Sequence, residues 1–188
     1  TFHAGNINYA TSDFLTNSAD QLRRNKYNQF KSACKKQGIA EKDILNSIDK
    51  FKDSRLIIIG DTILDQYSAC EPLGISAEAP VVVVKELEFK NFIGGAAIVA
   101  ANVKSLGSES NFISVVGNDE NSCIMRNEMD NIKLNHHFIE DISRPTTFKK
   151  RYMVENQKLF RVSKLNDEKL TYDIEHKIIN KLEELAPK

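Results

Sequence analysis

The chain has 188 residues, enough for one domain with a substantial core and a short appendage. Its 41% hydrophobic and 28% charged residues are ordinary for a globular domain, and 26 basic residues are balanced by 26 acidic ones. Zero net charge gives no electrostatic drive toward nucleic acid or a membrane surface, and apolar runs such as residues 56–59 and 80–84 are far too short to span a bilayer.

Residues 1–15 are polar and aperiodic, and the first is Thr1 rather than Met, as expected of a processed or excised start. Ser18 precedes a basic stretch, ADQLRRNKYNQFKSACKKQG, in which Leu22, Tyr27, Phe30 and Cys34 recur near helical spacing and Gly38 supplies a stop. A second helix is expected over residues 41–51, with Ile44, Leu45 and Ile48 on one stripe. The pair reads as a connector, with Arg23, Arg24 and Lys26 on a solvated face. From Arg55 the pattern changes. Residues 56–59 form a continuous apolar run, expected of a central parallel strand covered on both sides. Residues 67–87 read as β-structure outside the main layer, punctuated by Pro72, Gly74 and Pro80. There follow a small-residue helix over 94–106, a strand over 112–116, a helix over 119–130 capped by Asn118, and a short strand over 136–139. Residues 147–154 and 158–162 read as an antiparallel pair around a turn at Glu155 and Asn156, and 172–185 as a final amphipathic helix. The alternation predicts an α/β fold: a doubly wound, mostly parallel sheet with a small β-lid near residues 67–88 and 146–163.

The three cysteines, Cys34, Cys70 and Cys123, have no metal or redox spacing, which predicts reduced thiols and a cytoplasmic setting. Adjacent His136 and His137 would point to opposite faces of a strand, which argues against a shared metal.

Asp61 and Asp65 fall at and just beyond the end of the first strand, where open α/β sheets bind ligands. A carboxylate accepts two hydroxyls at once, so this acidic tip suits a polyol. Gly94 and Gly95 open a helix, where bare N–H groups favour oxygen-rich ligands and a missing Cβ lets a ligand approach. The alternatives are local: Asp61 bonding its own turn, and the glycines admitting a tight helix start. Lys149 and Arg151, two apart on a strand, share a face, and Arg161 joins from the partner strand. Such a cluster suits a phosphate, against the alternative of ordinary surface charge. Glu78 and Lys85 are expected to pair with it across the lid.

The order of GDTILDQY (60–67), ISAEAPVVVVK (75–85), GGAA (94–97) with SLG (105–107), and KKR (149–151) followed by NQKLFR (156–161) resembles the ribokinase-like, or PfkB-type, carbohydrate kinases. Within that family the likeness is greatest to the heptose-phosphate kinase half of bifunctional ADP-heptose synthases, and it covers residues 54–185. The resemblance implies that Asp65 grips sugar hydroxyls, that Gly94 and Gly95 contact the sugar, and that Lys149, Arg151 and Arg161 face a sugar phosphate. It further implies ATP with Mg²⁺ as phosphoryl donor and a homodimer clasped through the lid, with residues 81–84 buried or partner-covered. Ile98 departs from the pattern, because many relatives have asparagine there. Asn102, one helical turn further on, falls on the same side and is a candidate sugar contact.

A Gly-Ala-Gly-Asp type anion hole is not found. Residues 53–188 are therefore expected to be the sugar-binding half of a kinase, without its catalytic aspartate or nucleotide site. Residues 1–52 resemble a helical linker or the tail of an upstream nucleotidyltransferase domain. The expected reaction of the parent is phosphorylation of D-glycero-D-manno-heptose 7-phosphate at the anomeric hydroxyl, toward ADP-heptose for the lipopolysaccharide core. A kinase for another sugar or nucleoside, and a non-catalytic sugar-binding or dimerisation module, are the alternatives.

Overall fold

The computed structural model describes residues 19–155 and 157–186. The polar opening at residues 1–15, the expected cap Ser18 and the turn residue Asn156 lie outside the described residues. The chain divides into two compact units, Thr1–Asp49 and Lys50–Lys188.

In the first unit, helix α1 (Ala19–Lys36) carries two lysines in its last turn and stops at Gly38, whose φ of 69° is the left-handed conformation that ends a helix. Helix α2 (Glu41–Phe51) runs across the boundary between the units. The Asp43 carboxylate accepts the Ala40 N–H at 3.0 Å and closes the first turn of α2. Tyr27, Phe30, Cys34 and Leu45 line an open groove beside these helices.

The second unit is built on two sheets. Strands β1 (Arg55–Ile59), β4 (Glu109–Val116) and β5 (Asn135–Glu140) form a parallel sheet in the order β1-β4-β5. Strands β2 (Thr62–Ile75), β3 (Val82–Gly95), β6 (Phe148–Val154) and β7 (Gln157–Lys164) form the second sheet in the order β3-β2-β6-β7. There β2 pairs antiparallel with β3 and parallel with β6, and β6 pairs antiparallel with β7. Helices α3 (Ala96–Ser105), α4 (Glu120–Asn131) and α5 (Tyr172–Leu185) pack against the parallel sheet. The architecture is thus the expected α/β one. The lid is larger than expected and includes the whole hairpin from Thr62 to Gly95.

The core lies between α3, α4 and the strands. Leu64, Ala97, Ala100, Phe112, Met125, Met129 and Leu134 are buried together, and Phe112 meets Phe138 edge-on at 6.0 Å. Small alanines on α3 let that helix lie close to β4. Leu64 belongs to this core although β2 is a lid strand, so the root of the lid is anchored in it.

Two expectations are corrected. Residues 56–59 do not form a covered central strand: β1 is an edge strand, with Leu56 39% and Ile59 46% exposed, and β4 takes the centre with Phe112, Ile113 and Val116 buried. Helix α4 begins one residue later than expected and is capped by Asp119, not Asn118, because the Asp119 carboxylate accepts the Ser122 N–H at 3.0 Å. Val81 and Val82 are exposed within the chain, with Val82 opening β3, an outer strand of the lid, so of the two expected covers only a partner surface would serve them.

Candidate functional site

Strand register sorts the lid residues into two faces. Along β2, Thr62, Leu64 and Ser68 turn inward and are buried, so Asp65, Tyr67 and Ala69 turn to the other face. Residues opposite one another in a ladder share a face. Asp65 lies opposite Phe92 of β3 and Lys149 of β6, and Tyr67 lies opposite Lys90 and Arg151. Arg151 in turn lies opposite Arg161 of β7. One face of the lid therefore carries Asp65, Tyr67, Phe92, Lys149, Arg151 and Arg161. Lys150, between the two cations, points the other way and pairs with Glu86 at 2.7 Å. Burial would lower the Lys150 pKa, but the Glu86 carboxylate and Tyr152 outweigh it and raise it above the ordinary lysine value. This pair takes the place of the expected cross-lid partners Glu78 and Lys85. Glu78 instead donates its backbone N–H to the Ser76 hydroxyl at 3.2 Å.

Asp65 stands at the centre of the face. Its Oδ1 accepts a hydrogen bond from the Arg151 guanidinium, and the pair is mostly shielded, at 21% and 15% side-chain exposure. Its Oδ2 lies over Gly94: a Cβ added there would stand 3.1 Å from that oxygen. The Arg151 guanidinium also lies 5.0 Å from the Tyr67 ring centroid, and Tyr67 meets Phe92 edge-on at 5.4 Å. Among the described residues neither Lys149 nor Arg161 has an ion-pair partner.

Beside Asp65 opens a cavity of about 560 Å³ walled by Tyr67 of β2, Phe89, Phe92 and Ile93 of β3 and Met153 of β6, with Glu88 and Lys90 also lining it. On the β6–β7 side lies the cationic strip. The carboxylate thus borders an aromatic hollow and lies beside the positively charged strip. Tyr67, Phe92 and Met153 were not singled out from the sequence. The available signal was parity, since Tyr67 is two residues beyond Asp65 and must share its face.

The other candidates take different positions. Asp61 follows β1, and its backbone carbonyl accepts the Ala96 N–H at 2.8 Å, tying the strand end to the start of α3. Its residue lines a separate, polar cavity of about 350 Å³ with Thr62, Arg144, Thr147 and Asp167, so the two aspartates open to different hollows. Gly95 is the N-cap of α3 at φ 63°, ψ −140°, and a Cβ there would collide with the Asp61 carbonyl. Asn102 stands exposed on α3 in helical register with the exposed Ile98. Among the described residues no contact joins its side chain to Asp65. His136 and His137 diverge as expected, His136 toward the Leu134 carbonyl at 3.2 Å and His137 toward the Asn111 side-chain oxygen at 3.1 Å. Among the described residues no three His, Cys, Asp or Glu side chains are grouped to hold a metal ion.

The loop that leads into β6 is fixed from the core side. Asp119 Oδ2 accepts the Thr146 N–H at 2.9 Å, and the buried Thr146 hydroxyl accepts the Gly117 N–H at 3.0 Å. Arg144 donates to Asp141 at 2.7 Å in a nearly buried pair. These bonds set where β6, and hence Lys149 and Arg151, meets β2.

A family model described as pfkB family carbohydrate kinase matches residues 53–185. The bifunctional protein HldE of Campylobacter jejuni subsp. doylei is 41% identical over 108 residues, which is 57% of this chain and 22% of that protein. HldE of Aeromonas salmonicida is 32% identical over 142 residues, 75% of this chain and 29% of that protein. The matched region therefore spans between 22% and 29% of the length of these curated relatives. Among solved structures, a protein assigned as a sugar kinase from Clostridium perfringens superposes with a TM-score of 0.53, at 18% identity, over 72% of this chain and 42% of that one. That likeness is one of fold.

Proposed function

We propose, since this chain belongs to the pfkB family of carbohydrate kinases, that the lid face around Asp65 binds the sugar that such a kinase phosphorylates. A sugar hydroxyl is a weak nucleophile, so the acceptor must be held in line with the phosphoryl donor. Catalysis by the residues around it is mostly placement. The observation that carries the reading is the position of Asp65. Its carboxylate lies over the bare backbone of Gly94 on one side and against Arg151 on the other, with Lys149 opposite it in register. A carboxylate so placed accepts sugar hydroxyls, while Lys149, Arg151 and Arg161 supply charge-assisted donors for a phosphate already on the sugar.

The substrate in this reading is D-glycero-D-manno-heptose 7-phosphate, phosphorylated at its anomeric hydroxyl by the whole protein toward ADP-heptose. ATP with Mg²⁺ is the donor, and its chemistry is transfer of the γ-phosphoryl group. The described residues bind and orient the acceptor and shield it from water. Two lids clasp in a homodimer. Identity of about 40% to proteins named HldE supports the heptose over other sugars.

The aromatic cavity beside Asp65 favours one second reading, a nucleoside acceptor whose base stacks on Tyr67 and Phe92. A substrate panel on the full-length protein separates the two: heptose 7-phosphate, fructose 6-phosphate, ribose and adenosine, with ATP and Mg²⁺. The heptose reading expects heptose 7-phosphate to give the highest kcat/KM by a wide margin. Turnover of adenosine or ribose ahead of it overturns that reading. Asp65→Ala is expected to lower kcat/KM for the preferred sugar about 100- to 1000-fold, the loss of two charge-assisted hydrogen bonds. Unchanged kinetics would remove Asp65 from the site.

A further inference from the structure

The Asp65–Arg151 ion pair joins two groups that have separate tasks in the proposed site. In the structure each engages the other. Asp65 Oδ1 is taken by the guanidinium, so one of the two oxygens that would receive sugar hydroxyls is already engaged. Arg151 is held from two sides, by the Asp65 carboxylate and by the Tyr67 ring at 5.0 Å. Directly across the ladder sits Arg161, a like charge on the same face of an antiparallel pair, an arrangement that an anion lying over both would favour. Lys149 lies beside Asp65 in register, and among the described residues neither Lys149 nor Arg161 is paired.

We propose that Arg151 is a specificity latch: it holds Asp65 closed to hydroxyls, and a phosphate on the substrate draws it onto Arg161 and thereby frees the carboxylate. The inference rests on the sugar-binding reading of this face and goes beyond it, because it couples phosphate recognition to hydroxyl recognition. An unphosphorylated sugar that takes both oxygens of the carboxylate breaks the ion pair and leaves Arg151 without a counter-charge in a partly shielded site. A sugar phosphate breaks the same pair and replaces the lost carboxylate with a dianion that the guanidinium fork grips bidentately. Lys149 remains beside Asp65 to balance the freed carboxylate. Discrimination then exceeds what the phosphate contacts alone give. By linkage, a hydroxyl bound at Asp65 and a phosphate bound at Arg151 strengthen each other's binding by the same factor.

The test uses the full-length protein and two probes. In the first arm, inorganic phosphate is titrated while the Arg151 ¹⁵Nε resonance is followed. Asp65→Asn, which keeps the shape but removes the charge, is expected to bind phosphate about 3- to 10-fold more tightly than wild type. No gain, or no phosphate response in either protein, overturns the latch. In the second arm, unphosphorylated heptose and heptose 7-phosphate are compared by calorimetry in wild type and Arg151→Met. The substitution keeps the apolar stem against Tyr67. The free heptose is expected to bind about 3-fold or more tighter and the phosphate ester about 10- to 100-fold weaker. Loss of affinity for both makes Arg151 a plain contact and overturns the proposal. Arg151→Lys, which keeps charge and stem, should fall between the two and covers the case in which the methionine variant folds poorly. Gain in the first arm with no heptose binding at all sinks the heptose reading while the latch stands.

Discussion

At the level of single residues, Gly94 and Gly95 are adjacent and needed for unlike reasons. Gly95 has φ 63°, and its missing Cβ makes room for the Asp61 carbonyl that holds Ala96. Backbone cannot yield there, so Gly95→Ala is expected to destabilise the protein by more than about 2 kcal/mol. A lower midpoint at unchanged m-value in a denaturant titration checks it. At Gly94 the neighbour is the Asp65 carboxylate, 3.1 Å from an added Cβ, and a side chain can shift by a few tenths of an ångström. Gly94→Ala is therefore expected to alter stability by less than about 1 kcal/mol and to show instead as a several-fold rise in KM for the sugar. Equal stability losses at the two positions would contradict this division. Both glycines were legible as a pair at a helix start. Their separate tasks were not, because they depend on a carbonyl 34 positions earlier for Gly95 and a side chain 29 positions earlier for Gly94.

At the level of elements, period-two alternation was the dependable signal. It placed Lys149 and Arg151 together, with Arg161 on the partner strand, and register then added Asp65. A continuous apolar run misled at residues 56–59, because such a run looks alike whether its own chain or another surface covers it, and β1 proved to be an edge strand. The cap of α4 was missed by one residue, since Asn118 and Asp119 are equally able caps locally. What selects Asp119 is a long-range bond, its Oδ2 accepting the Thr146 N–H. That bond has a pH signature. Partial burial would raise the Asp119 pKa, but hydrogen bonds from Thr146 and Ser122 and the nearby Lys164 charge outweigh it and hold it below the ordinary 3.8. Asp141 is likewise held low, first by the Ser143 hydroxyl and, against a smaller burial effect, by Arg144. A carboxylate depressed in the folded state stabilises above its unfolded pKa, and that contribution is lost as pH falls through the folded value. Stability should therefore drop as pH is taken below about 4, and Asp119→Asn should flatten that acid limb. Urea unfolding across that range reads it, and an unchanged slope in the variant would separate the bond from acid stability.

At the level of the whole molecule, the lid exposes several large apolar side chains. Ile75 and Val82 face each other across the β2–β3 ladder near the hairpin tip at 74% and 65% exposure, and Leu87 and Phe89 are more than half exposed on the same outer strand. Apolar side chains grouped on an edge hairpin invite pairing with another surface. In the homodimer of the proposed function that surface is the lid of a second copy, which would also close the sugar site from outside. A lysine at Val82 would then be desolvated in the clasp while costing the free chain little, because the position is open to water in the monomer. Val82→Lys in the full-length protein is expected to weaken dimerisation at least about 30-fold, the effect of burying one unpaired charge at an interface. Sedimentation velocity over a concentration series measures this, and an unchanged far-ultraviolet circular dichroism spectrum shows that the fold persists. Retention of the wild-type dimer constant would place the interface away from the hairpin tip, and a wild-type protein that stays monomeric throughout the series would remove the clasp altogether.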